Sequence, residues 1–290
     1  MTYKIQIDPI TRLEGHARVD LFMNDKGSLE NAYLVIPELR GFEKFCEGRP
    51  VEEMPRITQR TCGVCPIAHH MAAAKAGDAV YQVTPPPAAK KLRELMYSAF
   101  FVADHATHFY ILGGPDFIVG PDAMKSERNI LGVVKKVGKE VGAQVMQLLR
   151  DNHEIAAMIG GRYIHSVGAI VGGMSKPITE EQRTGIIERA KRSVEFAKTT
   201  LGLFHKLVLG SKEYVDLILS DAYSHRTYYM GMVDENDHVN FYDGKIKIVD
   251  PEGKFFDKFN PEDYLDAIAE HVEPWTYLKF AYLKKVGWKG

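Results

Sequence analysis

The chain is poor in cysteine: three in 290 residues, two of them three positions apart. That excludes the disulfide framework of a small secreted domain and points to a reducing compartment, so a cytoplasmic location is expected. Neither sign of charge is in excess, with 37 Lys and Arg against 38 Asp and Glu. No net field therefore draws the chain to nucleic acid or to an anionic membrane. No uncharged apolar run approaches the ~18 residues of a membrane span. The opening MTYKIQIDPITRLEGH carries no apolar core of a signal peptide. Internal repeats and low-complexity linkers are missing too. What remains is the composition of a soluble globular protein, 45% hydrophobic and 26% charged, with ample interior for a core.

The pattern of apolar residues predicts a mainly α fold with small β additions, a single domain over 1–290 in three stretches. Residues 1–37 alternate apolar and polar side chains, with Asn24-Asp25-Lys26-Gly27 as a turn, and read as an antiparallel sheet. Residues 41–209 shift toward a 3.6-residue period. Helices are expected from Pro66, from the prolines at 85–87 to the Gly113-Gly114 stop, over 127–160 and over 179–209. Small residues on one face of the first of these permit close packing. A glycine-rich loop, GRYIHSVGAIVGGMSKPIT, separates the last two helical stretches. Residues 210–290 read as an α+β segment with a hairpin turning at Asp243-Gly244.

The stretch that carries chemistry is RITQRTCGVCPIAHH, Arg56 to His70. Cys62 and Cys65 form a C-x-x-C pair, with His69 and His70 one turn later. A dithiol redox pair normally follows a strand in a βαβ setting, and no such pattern surrounds this one. A structural zinc site needs two further ligands; Cys62, Cys65 and one histidine make three, and no second C-x-x-C exists. Other soft metals suit thiolates equally. Spacing alone leaves these alternatives open. Cys46 reads as a small buried apolar residue.

The order of ITRLEGHARV, RTCGVCPIAHHMA, HATHFYILGGPDF, GRYIHSVGAIVGGMSKPIT and AEHVEPWTYLKFAYLKKVGW resembles the large, catalytic subunit of nickel–iron hydrogenases. The likeness is nearest to the cytoplasmic, cofactor-coupled enzymes, and it runs the length of the chain. It implies that Cys62 is a terminal nickel ligand and that Cys65 bridges nickel and iron, the iron carrying CO and cyanide. It implies that His69 donates a hydrogen bond toward the bridging sulfur and that Arg60 lies near the cluster. By the same match Glu14 is the proton gate, because heterolytic H2 cleavage needs a nearby base. Asp104 falls above the open metal position, and Glu43 matches a carboxylate of a buried Mg2+ or iron site. The implied partners are an iron–sulfur small subunit together with flavin, nucleotide or heterodisulfide electron-transfer subunits.

Two departures from the family pattern stand out. The closing D-P-C-x-x-C-x-x-H, which completes the four-sulfur cage, has no counterpart here. The chain is therefore expected to be one part of a longer or split subunit, in the split case with a separate C-terminal half, or else a degenerate relative. The latter would serve as a metal-free scaffold, like the related subunit of respiratory complex I, although such scaffolds lack the cysteine pair. Second, Ser166 and Val171 replace two prolines of the family's loop, which predicts a looser loop; Gly172-Gly173 keep the permissive backbone of its turn.

Overall fold

The computed structural model describes residues 3–11 and 13–289. Its backbone contacts gather into two compact units, one of 1–40 with 224–290 and one of 41–223. The three sequence stretches are thus redistributed: residues 210–223 join the helical unit, and the two ends of the chain share the other.

In the discontinuous unit, β1 (Tyr3–Ile7), β2 (Arg18–Met23) and β3 (Leu29–Val35) form an antiparallel sheet in that order, with Tyr3 opposite Met23 and Arg18 opposite Val35. The expected turn is there: Asn24 Oδ1 accepts from the Lys26 and Ser28 N–H groups, and Gly27 takes φ +76°. The alternation of β1 does not bury a face, since Tyr3, Ile5 and Ile7 are all exposed.

The helical unit opens with short α1 (Phe42–Cys46) and α2 (Met54–Ile57), then α3 (Pro66–Val80) and α4 (Pro87–Thr107). Proline at the first position starts α3 and α4, where a missing N–H costs no hydrogen bond. The helical run over 127–160 breaks at Gly138, φ +94°, into α5 (Ile130–Val137) and α6 (Lys139–Gly160). Asn129 caps α5 by accepting from the Leu131 and Gly132 N–H groups. Inside the glycine-rich loop, β4 (Ala169–Ile170) and β5 (Gly173–Met174) make a minimal hairpin with Gly172 at φ +80°. A Thr179–Gln182 capping box starts α7 (Glu180–Phe204), and α8 (Lys212–Leu219) follows. The core of this unit joins Ala103, Ala106 and Tyr110 to Val145, Leu148 and Leu149, with Phe196 and Leu203 of α7 packed against it. Alanines on α4 let α6 approach closely, and each buried leucine or valine contributes about 1.5–3 kcal/mol.

The chain then returns to the first unit. There β6 (Tyr229–Val233), β7 (Lys245–Val249) and β8 (Phe255–Phe259) form a second antiparallel sheet. The hairpin expected to turn at Asp243-Gly244 instead turns at 250–253, between β7 and β8. Asp250 Oδ1 accepts from the Glu252 and Lys254 N–H groups and Gly253 supplies φ +78°. The chain also turns before Gly244, where Asn240 Oδ1 accepts from the Tyr242 and Asp243 N–H groups, but within the β6–β7 connection. The single turn α9 (Tyr264–Ala267) leads into β9 (Ile268–Val272), paired with β10 (Lys279–Leu283). The mainly α architecture with small antiparallel sheets is as the sequence suggests. Among the described residues, no helix is long and apolar enough to cross a membrane.

Candidate metal centre

The C-x-x-C pair straddles a change of backbone. Thr58–Thr61 forms a 3-10 turn that ends at Cys62 in extended conformation, and Cys65 is the N-cap of α3 with Pro66 next. The Cys65 N–H donates to Cys62 Sγ at 3.2 Å. Placing a sulfur at a helix N-terminus favours negative charge there, because the helix dipole and its open N–H groups face it. His69 lies one turn into α3, on the face that Cys65 begins. The ligand atoms of Cys62, Cys65 and His69 all lie within 4.8 Å of one another. Among the described residues this is the one cluster of three or more Cys, His, Asp or Glu able to hold a metal ion. The two sulfurs are not joined in a disulfide.

His70, the neighbour, has the opposite fate. It is 0% exposed, its Nδ1 bonds to the Pro55 carbonyl at 2.7 Å and its Nε2 accepts from the Ala169 N–H at 3.0 Å. That pairing requires the neutral ring with hydrogen on Nδ1, and burial, with a smaller push from Arg93, holds its pKa below the usual value. His70 is a tie between α2, α3 and the 161–175 loop, not a ligand.

The loop is held far more tightly than its missing prolines suggest. Ser166 Oγ donates to the Gly160 carbonyl at 3.0 Å, and Gln59 Nε2 donates to the Ser166 carbonyl at 3.0 Å. Val171, in place of the second proline, packs onto Gly77 of α3, where a Cβ would come within 2.6 Å of Val171 Cγ2. Beneath the hairpin Arg93 is wholly buried. It pairs with Asp78 at 2.6 Å and donates to the Ile170 carbonyl at 2.7 Å and the Gly173 carbonyl at 3.0 Å. Asp78 also accepts from the Gly172 N–H at 2.6 Å. Hydrogen bonds here do what proline does elsewhere: they fix the backbone.

The other expected residues are dispersed. Arg60 is exposed, two residues before Cys62. His165, φ +54°, has a buried Nδ1 with no hydrogen-bond partner among the described residues. Burial first, then the charges of Arg60 and Arg162, lower its pKa. Asp104 is half-buried on α4 and faces Tyr163, whose pKa is pushed up to about 12 by burial and then by that carboxylate. Tyr163 in turn stacks on His153, centroids 3.7 Å apart. Tyr97 lies near Cys65, and burial with that negative neighbour raises its pKa. Glu43 is exposed in the first turn of α1, outside the metal-holding cluster, and Cys46 is half-buried rather than buried. Glu14 belongs to the β-rich unit, exposed beside Gly15, whose φ of +81° accompanies the bond from the His16 N–H to Glu38.

A family model described as nickel-dependent hydrogenase matches residues 40–142, and one described as HoxL-like matches residues 4–39. A vhu subunit of the F420-non-reducing hydrogenase of Methanocaldococcus jannaschii is 43% identical over 285 residues, 98% of this chain and 67% of that protein. The chain belongs to the nickel-dependent hydrogenase large-subunit family. An iron-sulfur subunit of the F420-non-reducing hydrogenase of Archaeoglobus profundus is 44% identical over 99% of the chain and 59% of that protein. NAD-reducing hydrogenase HoxS subunit beta of Cupriavidus necator is 31% identical over 99% of the chain and 60% of that protein. A crystal structure of an NAD+-reducing [NiFe]-hydrogenase in the H2-reduced state superimposes with TM-score 0.88 at 33% identity, over 98% of this chain and 62% of that one. The chain thus spans about three fifths of the length of the first relatives it matches, 59% in the Archaeoglobus profundus case.

The donor set suits a centre of the kind the family is described by. Two thiolates and an imidazole at one helix start are soft donors for a nickel or iron ion. Sequence reasoning missed Gln59, Asp78, Arg93 and Tyr163, and it left His70 open as an alternative to His69 for the third ligand. Only the paired histidines were a visible signal; Arg93, in KKLRELM, looks like any solvated helix charge.

Proposed function

We propose that this chain is a component of a nickel–iron hydrogenase catalysing H2 ⇌ 2H+ + 2e−, and that it supplies half of the thiolates of the Ni–Fe centre. The observation that carries the reading is the Cys62–Cys65–His69 cluster at the start of α3 in a chain of this family. Cys62 would hold the nickel and Cys65 would be shared by the two metals, and the other two thiolates would come from polypeptide outside these 290 residues. When bound, such a centre supplies the heterolytic cleavage of H2. The chain's own residues do the rest. His69 donates a hydrogen bond to the bridging sulfur and holds it in place. Glu14 accepts the proton and passes it outward. Asp104 and Arg60 shape the charge around the metals, and Glu43 holds Mg2+ or iron.

Electrons leave to an iron–sulfur small subunit, because a cluster ordinarily takes four protein ligands and three cysteines, two already committed, do not suffice. From there they pass, in the cytoplasm, to flavin, nucleotide or heterodisulfide modules. A metal-free scaffold of the complex I kind has no use for the cysteine pair. The test is to purify the tagged chain with its natural partners, measure nickel and iron, and follow H2-dependent reduction of an artificial dye. Both metals and dye reduction are expected, with Cys65→Ser reducing activity to background. A complex that contains a second cysteine pair yet holds neither metal overturns the reading.

A further inference from the structure

We propose that the apolar face of the β1–β3 sheet is a docking surface, and that its occupant is the polypeptide carrying the second cysteine pair. The occupant's identity rests on the hydrogenase reading above; its place in the fold is new.

The sheet has two unlike faces. On one, Tyr3, Ile5 and Ile7 stand opposite Met23, Leu21 and Val19. The β3 positions opposite those are apolar as well. On the other face Lys4 and Gln6 meet Asp20 at 3.0 and 2.9 Å. An antiparallel sheet ordinarily turns its apolar face to a second layer and its polar face to water. Here the apolar face has no such layer: Tyr3, Ile5 and Ile7 are 49%, 42% and 49% exposed. A contiguous apolar patch of this kind marks an interface. Among the described residues β1 also pairs on one side only, so its outer edge is open.

The unit that holds the sheet is short of core. Among the described residues of 1–40 and 224–290, the buried hydrophobic ones are Ala17, Tyr242, Ile248 and Ala267. The sheet itself buries Asp20 alone. The same unit has an open cleft of about 720 Å3 walled in part by Tyr228, Tyr282, Leu283 and Trp288. Partners that dock as finished bodies bring their own cores and leave each other's intact. What this unit lacks is a layer of its own core, which points to further chain of the same subunit. Two relatives that match 98–99% of this chain are spanned by it only to 59% and 67%, so they carry enough polypeptide for such a layer. In the hydrogenase reading, that polypeptide brings the other two thiolates.

The test places the photo-reactive residue p-benzoylphenylalanine at position 5 of the tagged chain, which is purified with its natural partners and irradiated. Mass spectrometry is expected to find the adduct on the polypeptide that contains a second C-x-x-C, whether or not it is continuous with this chain. The same probe at position 6, on the opposite face, is expected to lose that adduct. Independently, Ile5→Lys with Ile7→Lys should speed hydrogen exchange of the β1–β3 amides in the complex at least about tenfold, as losing one buried isoleucine would. Amides of α3 and α4 should keep their rates; if they change too, the photo-adduct decides alone. Adducts only to a second copy of this chain, to an iron–sulfur subunit or to nothing overturn the proposal. So do equal yields from positions 5 and 6, or unchanged exchange in the double variant. Nickel and iron are measured in the same complex. Their absence with the adduct present sinks the hydrogenase reading alone; their presence without the adduct sinks this one alone.

Discussion

The two units handle polar groups in opposite ways. In the helical unit polar side chains are taken inside and joined. Arg93, His70 and Gln59 are each 0% exposed, and together they tie α3 and α4 to the loop of 161–175. In the β-rich unit, buried Asp20 apart, the ion pairs lie at the surface: Lys247 and Lys258 meet Asp237 at 2.7 and 3.2 Å, and Lys285 meets Asp257 at 2.6 Å, all reachable by water. The difference follows the chemistry. A cluster of metal ligands must be held in one geometry, and buried, mutually satisfied polar groups hold backbone more firmly than solvated pairs do. The surface pairs keep strands soluble and unpaired edges charged.

Unfolding experiments can break this comparison, because both tryptophans, Trp275 and Trp288, lie in the β-rich unit. Tryptophan fluorescence therefore reports that unit, while far-ultraviolet dichroism is dominated by the helices of the other. The largest effect is expected from Arg93→Ala, which leaves Asp78 buried without its cation. It should lower stability by about 3–5 kcal/mol in the urea transition followed by dichroism. The fluorescence midpoint should move far less; equal shifts would mean that the two units unfold as one.

A smaller effect is expected from pH, in two separate windows. His70 has a folded pKa below its ordinary value, so the unfolded chain binds the extra proton first. Its contribution is complete above about pH 6.5 and is lost as pH falls below that; His153 and His165, also lowered by burial, act in the same direction. Asp237 is held below the usual carboxylate value by its bonds to Lys247 and Lys258, so its contribution is complete above about pH 4 and lost only below it. Urea midpoints should thus fall first by dichroism, between about pH 7 and 5, and later by fluorescence. The reverse order would refute the assignment.

The smallest change is expected from Asp237→Asn. An exposed pair gains little in water and is screened by salt. The fluorescence midpoint at neutral pH should fall only slightly, and by less as salt is added. A shift comparable to that of Arg93→Ala would show that surface charge, not burial, organises this unit.

What the sequence determined by itself is local. Proline starts at 66 and 87, the helical stretch from 179, the Asn24 turn and the C-x-x-C at a helix start depend on neighbours within a few residues, and each appears where the pattern put it. The motif around Cys62 and Cys65 also determined the family. Tertiary structure decided the rest, because burial and partner choice are set by residues distant in the chain. It made His69 a candidate ligand and His70 a core tie, although the two are adjacent and identical. It turned Arg93 inward to meet Asp78 and the 170–173 carbonyls, left the alternating strand Tyr3–Ile7 open on both faces, and brought residues 1–40 and 224–290 into one unit.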